Sequence, residues 1–185
     1  MTPWFIFKCF IGIAQPWRHL RGARRLRRAQ VQTPPVNSMR LGWRRHRPVF
    51  LVAMPFVEGE TALDHLRNGH PIDADDLASQ LGLIVAKLGD AGLRHRDFKL
   101  SNVVVERDTE ALWLIDPVGV VRGRDQVTAL TTMLERLDVE VREGHAGDVS
   151  RAPLLRRIMV RAALETLPRP LRKEVLQRLR EHPGR

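Results

Sequence analysis

The sequence predicts an α+β fold in two parts: a reduced, strand-bearing lobe over residues 1–57 and a mainly helical lobe over residues 58–185. Three observations predict it. Residues 1–57 read in the order strand, helix, strand, strand, from aromatic and β-branched runs separated by turn residues. Beyond residue 73, apolar residues recur at helical spacing in four separate stripes. The charge also changes at the boundary. Eleven of the 31 Lys/Arg and none of the 21 Asp/Glu fall in residues 1–57, Glu58 being the first carboxylate.

"WFIFKCF" reads as the first strand by its aromatic and β-branched content. "PWRHLRGARRLRRAQ" follows as a basic helix with Leu20 and Leu26 among its arginines. "QTPP" closes it, because a residue before proline avoids the helical region. "SMRLGW" and "VFLVAM" read as two strands around the polar turn "RRHRP", and "PFVEGE" as the linker into the helical lobe. "TALDHLRN" is a short helix. "DADDLASQLGLIVAKLGDAG" is a long one, with Asp73 placed as a possible N-cap, Leu77, Leu81, Val85 and Leu88 on one face, and Gly92 suited to its C-terminal end. "NVVVE" and "LWLID" form a hairpin around "RDTE". The remaining stripes are Val127, Leu130, Leu134 and Leu137; Leu154, Leu155, Ile158 and Leu164; and Leu171, Val175, Leu176 and Leu179.

Composition bounds the function. A lone Cys9 excludes an internal disulfide and a multi-cysteine metal site, and fits a reducing, cytoplasmic setting. The apolar N-terminus is divided by Lys8 and is too short to span a bilayer. The excess charge lies chiefly in "WRHLRGARRLRR", whose field attracts phosphates of nucleotides, lipid head groups or sugars. Nucleic acid is the disfavoured partner, because aromatic stacking residues are few and Tyr is absent.

One stretch, "HRDFKLSNVVV" at 95–105, carries chemistry. Phosphoryl transfer needs a carboxylate to orient the attacking hydroxyl, a carboxylate and an amide oxygen to hold magnesium, and a cation near the phosphates. Asp97 supplies the first, Asn102 and Asp116 the second, and Lys99 the third. A hairpin between Asn102 and Asp116 would bring the two metal ligands together at its open end. His95 reads as a packing residue. Asp125 reads as a helix N-cap. The other histidines, His19 and His65 among them, form no metal-ligand constellation and read as surface residues.

"HRDFKLSN" followed by "LIDPVG" resembles the catalytic loop and metal-binding segment of the protein-kinase-like superfamily. The resemblance implies a two-lobe kinase-like fold, ATP and Mg2+ as cofactors, and Asp97 and Lys99 as catalytic residues. It also implies Asn102 and Asp116 as metal ligands, and Asp125 as a brace for the loop, a reading that stands even with the helix N-cap. Lys8 takes the place of the strand lysine that holds nucleotide phosphates, and backbone groups near Met54 to Val57 take the place of the adenine hinge. Three departures accompany it. The chain starts at the strand bearing Lys8 with no Gly-rich hairpin before it, as in a truncated small lobe. The following helix has no acid to pair with Lys8. The metal-binding motif reads Asp116-Pro117-Val118-Gly119.

Helical spacing restarts near Val127, which leaves no room after Asp116 for the segment on which protein kinases seat a peptide, so the acceptor is expected to be a non-protein hydroxyl. "QTPPV", "AMPFVEGETALDHL" and "LIDPVGVVRGRDQVTALTTML" are most similar to the lipopolysaccharide kinase family, which phosphorylates Kdo or heptose of the inner core. That resemblance implies a sugar or anionic glycolipid acceptor at the inner face of the membrane, with peripheral membrane contact. A catalytically impaired pseudokinase serving as a binding module, or a small serine/threonine-type protein kinase, are the alternatives.

Overall fold

Gln15 to Arg28 forms helix α1, which buries Gly22, Ala23 and Leu26 and turns most of its arginines outward. The helix ends before the prolines. Gln30 adopts the left-handed conformation (φ 55°), its N–H bonds Arg27 O, and the Val31 N–H bonds Leu26 O. This pair of bonds satisfies two terminal carbonyls, and buried Val31 packs with Leu26 in the core. The computed structural model describes residues 15–44, 47–68, 71–143 and 149–181. The expected first strand with Lys8 and Cys9, and His46, His70, His145 and His182, lie outside the described residues.

β1 (Ser38–Arg44) and β2 (Arg47–Ala53) pair antiparallel, from Ser38 opposite Ala53 to Arg44 opposite Arg47. Leu41 and Trp43, two residues apart on one face of this ribbon, are exposed. The linker was expected to be irregular. It instead contains a short strand, β3 (Gly59–Thr61), which leads into helix α2 (Ala62–Asn68). Gly59 runs so close to its neighbour that a Cβ there would sit 1.9 Å from Val105 O.

The long helix α3 (Pro71–Asp90) buries Leu77, Leu81, Val85 and Leu88 as their spacing predicts. Each such fully buried leucine contributes roughly 1.5–3 kcal/mol of transfer free energy. The helix starts at Pro71, a residue pre-set for the first helical position, so the backbone of Asp73 lies inside the first turn. Gly92 (φ +65°) ends it in the conformation glycine adopts most readily.

Three short strands and a hairpin then build the site region. β4 (Leu93–His95) precedes the loop. β5 (Val103–Glu106) and β6 (Leu112–Leu114) form the expected hairpin and extend β3 into a sheet of order β3-β5-β6. β7 (Val120–Arg122) returns to pair with β4, His95 lying opposite Val120. Helices α4 (Gln126–Arg142), α5 (Ala152–Leu164) and α6 (Arg169–Glu181) complete the mainly helical part.

The α4 stripe is buried throughout. On α5 and α6, Leu154 and Leu176 were expected to face the core and do not, being 41% and 38% exposed. The buried face of α5 runs instead through Leu155, Met159, Ala162 and Ala163, and the helix sits so close against α3 that a Cβ on Gly82 would meet Met159 O at 2.4 Å. The architecture is α+β, and among the described residues no helix is long and apolar enough to cross a membrane.

Candidate functional site

β4 delivers His95 into the interior, fully buried, with its ring tilted against Phe98 at 5.8 Å between centroids. His95 Nδ1 accepts from the Asp97 N–H (3.3 Å), so the ring proton sits on Nε2, which donates to the Asp116 carbonyl (2.6 Å). One neutral imidazole thus ties the loop of Asp97 to the turn of Asp116. Burial holds its pKa below the ordinary histidine value, against the opposing pull of Asp116 and Asp97. Protonating Nδ1 would break the bond from Asp97. Gly119 leaves room for the ring, since a Cβ there would meet His95 Cε1 at 2.6 Å.

Asn102 closes the loop from the other side. Its Nδ2 donates to Asp97 O (2.9 Å), which fixes the amide orientation, and its own carbonyl accepts the Ile115 N–H (3.0 Å). The hairpin was expected to begin at Asn102 and end at Asp116. Both lie just outside it, Asn102 at the end of a 3-10 turn, Leu100–Asn102, and Asp116 just before another, Pro117–Gly119, and the bond from Ile115 joins the two segments across its open end. Asp116 caps the second turn, its Oδ1 accepting the Val118 N–H (3.1 Å). Lys99 Nζ lies 3.1 Å from Asp97 Oδ1, both side chains being partly exposed.

In the two residues expected to hold magnesium, one side-chain oxygen each, Asn102 Oδ1 and Asp116 Oδ2, has no hydrogen bond among the described residues. Among the described residues no group of three His, Cys, Asp or Glu side chains is disposed to hold a metal. Magnesium needs no such cage, since it takes one or two protein oxygens and completes its shell with phosphate and water.

Two residues emerge that sequence reasoning missed or left open, Glu140 and Asp125. Glu140 on α4 accepts the buried Leu100 N–H (2.6 Å) and the Ser101 hydroxyl (3.4 Å), and so braces the loop from below. Asp125 does not perform that role. It caps α4 through the Thr128 N–H (2.7 Å), and its bonds to Thr128 hold its carboxyl below the usual range. His19 is half-buried on α1, its Nε2 lies 2.9 Å from Met54 Sδ, and burial lowers its pKa while the Asp116 charge pulls upward. His65 is likewise half-buried and pairs with Glu60. Met54 therefore stands beside a residue in the field of Asp116. Val57 is half-buried, with no hydrogen bond linking it to the loop, and Lys8 lies outside the described residues.

Helix α1 sits directly on the Asp116 turn. A Cβ on Gly22 would fall 1.8 Å from Pro117 O, so only glycine permits this approach. Arg18 donates to Val118 O (3.4 Å) and Arg25 to Val120 O (2.9 Å).

Compared with known proteins, the chain matches no family model and no curated protein. Among solved structures it is similar to a divergent kinase lacking the glycine-rich loop, which regulates membrane ultrastructure of the Toxoplasma parasitophorous vacuole. The identity is 20% and the TM-score 0.45, over 82% of this chain and 56% of that one. The chain thus spans little more than half the length of that protein.

Proposed function

We propose that the protein is an ATP- and magnesium-dependent phosphotransferase acting on a sugar or other non-protein hydroxyl, in the manner of lipopolysaccharide inner-core kinases. One observation carries the reading: His95, Asn102 and the Ile115 N–H draw the loop of Asp97 and the turn of Asp116 into one bonded unit. Bound magnesium would neutralise charge developing on the transferred phosphoryl group. Asp97 orients the acceptor hydroxyl and takes its proton, Asn102 Oδ1 and Asp116 Oδ2 are the protein's metal ligands, and Lys99 faces the phosphates. Backbone groups near Met54 and Val57 would receive adenine.

A non-protein acceptor is supported by the short path after Asp116. The turn Pro117–Gly119, strand β7 and the Asp125 cap use up that path before α4 begins, leaving no platform for a peptide. An anionic glycolipid would suit the arginines of α1, with the protein touching the membrane face peripherally.

The test pairs binding with turnover. Thermal stabilisation by ATP should require magnesium and be lost in Asp116→Ala. Transfer of the γ-phosphate to Kdo- or heptose-bearing acceptors should be abolished in Asp97→Ala without loss of fold. Equal turnover in wild type and Asp97→Ala would end the assignment. A second reading, a nucleotide-binding module without turnover, is favoured by the absence of any acid on α1. Magnesium-dependent ATP binding without transfer to any acceptor would select it.

A further inference from the structure

Helix α1 has another flank, away from His19. There Arg21, Arg24, Arg25 and Arg28 close a cavity of about 660 Å3 against Ala91, Gly92 and Leu93 and against Arg122 of β7. No carboxylate lines it among the described residues. Arg25 is engaged with Val120 O, but none of the ion pairs among the described residues reaches Arg24, Arg28 or Arg122, all three exposed. The guanidiniums of Arg24, Arg28 and Arg122 around one concavity repel one another. Arginine cannot shed its proton to relieve this, as lysine or histidine would. An anion can.

Guanidinium forks match phosphate oxygens two at a time, and several of them in one cavity call for a ligand with several negative charges. The volume lies in the range of small-molecule sites. None of the lining residues is Asp97, Lys99, Asn102 or Asp116, so the cavity is separate from the candidate active site. Its walls are nevertheless linked to that site, because α1 seats Gly22 on Pro117 and donates from Arg25 to Val120.

We propose that this cavity binds a compact anion carrying two or more phosphate groups, and that filling it clamps α1 onto the turn that bears Asp116. The binding stands by itself; its effect on turnover rests on the phosphotransfer reading above.

The probe is inorganic tripolyphosphate, titrated calorimetrically into the full chain with EDTA present, so that no magnesium-dependent nucleotide site contributes. Wild type should bind, more weakly as salt rises. Arg24→Gln/Arg122→Gln should weaken binding about ten-fold or more, with an unliganded melting temperature close to wild type. Arg28→Gln, a single change, should weaken it in the same direction. Asp116→Asn should bind as wild type does, which separates this site from the metal site.

Vesicles distinguish the source of the phosphates. Arginine-dependent sedimentation with cardiolipin vesicles, competed by tripolyphosphate, identifies a lipid-borne ligand. Tripolyphosphate binding without vesicle binding identifies a soluble one. Unchanged affinity in the double variant and in Arg28→Gln, or affinity lost only in Asp116→Asn, would overturn the proposal.

Discussion

Removing the Glu140 carboxylate should loosen the catalytic loop. Leu100 is fully buried, and its N–H has Glu140 Oε2 as its hydrogen-bond partner at 2.6 Å. In Glu140→Ala that N–H loses a charged acceptor, at a cost of about 1–3 kcal/mol. The Ser101 contact at 3.4 Å is long and adds little. Glu140 also sits in the last turn of α4, where a carboxylate opposes the helix dipole, so removing it returns roughly 0.3–1 kcal/mol. The net loss is about 1–2 kcal/mol, which for a chain of this size lowers Tm by roughly 2–8 °C. Glu140→Gln keeps an acceptor oxygen without its charge and should lose about half as much.

Two measurements check this: thermal melting followed by helical ellipticity, and exchange of the Leu100 amide. In Glu140→Ala the amide should exchange faster while amides in α3 keep their protection, because the defect is local to the loop. A melting temperature within error of wild type, with an unchanged Leu100 exchange rate, would refute the bracing role. Equal losses in the Ala and Gln variants would locate the effect in charge and not in the hydrogen bond.

Other perturbations follow from the same geometry. Gly22→Ala puts a methyl group against Pro117 O, so α1 must move off the turn; stability should fall by about 1–3 kcal/mol, and magnesium-dependent ATP stabilisation should weaken with it. Asp125→Ala should cost about 0.5–2 kcal/mol in thermal melts and leave nucleotide affinity unchanged, as expected of a cap and not of a loop brace. His95 is held neutral with a depressed pKa, so the unfolded chain takes up a proton that the folded chain resists. Its contribution is complete above the ordinary histidine value of 6.5 and is lost as pH falls through the lower, folded value. His95→Phe should flatten the part of the Tm profile below the ordinary histidine value, with His19 leaving a residual slope of the same sign.

Much of the site was legible because it lies in one continuous stretch. Asp97, Lys99 and Asn102 are near neighbours in sequence, and a hairpin with readable β-branched strands carries Asp116 back to them. The long helices were legible because their apolar period is sustained. Strands β3, β4 and β7 were not, since three residues cannot display an alternation and β3 contains a glycine. Glu140 was invisible for a different reason. It lies near the end of α4, 40 residues from its partner Leu100, and nothing local distinguishes it from a solvated helical glutamate. Asp125 was ambiguous because a carboxylate just before a helix looks the same in sequence whether it caps or braces. Leu154 and Leu176 misled because an apolar residue one position off a stripe still fits the period loosely.

The arginines of α1 carry the last step. In sequence they counted against a working site, since the resemblance calls for an acid on this helix to pair with Lys8 and offers no use for cations. In the structure the helix is held by a different chemistry. The turn after Asp116 presents carbonyl oxygens to α1, at Pro117, Val118 and Val120. A carboxylate cannot donate to a carbonyl; a guanidinium with five N–H groups can. Arg18 and Arg25 meet two of those oxygens, and Gly22 clears the third. The position of α1 over the Asp116 turn therefore needs no acid. A helix seated by cations on carbonyls is also one whose remaining arginines are left facing outward, with Arg122 opposite them, which is the arrangement a phosphate-bearing ligand would tighten.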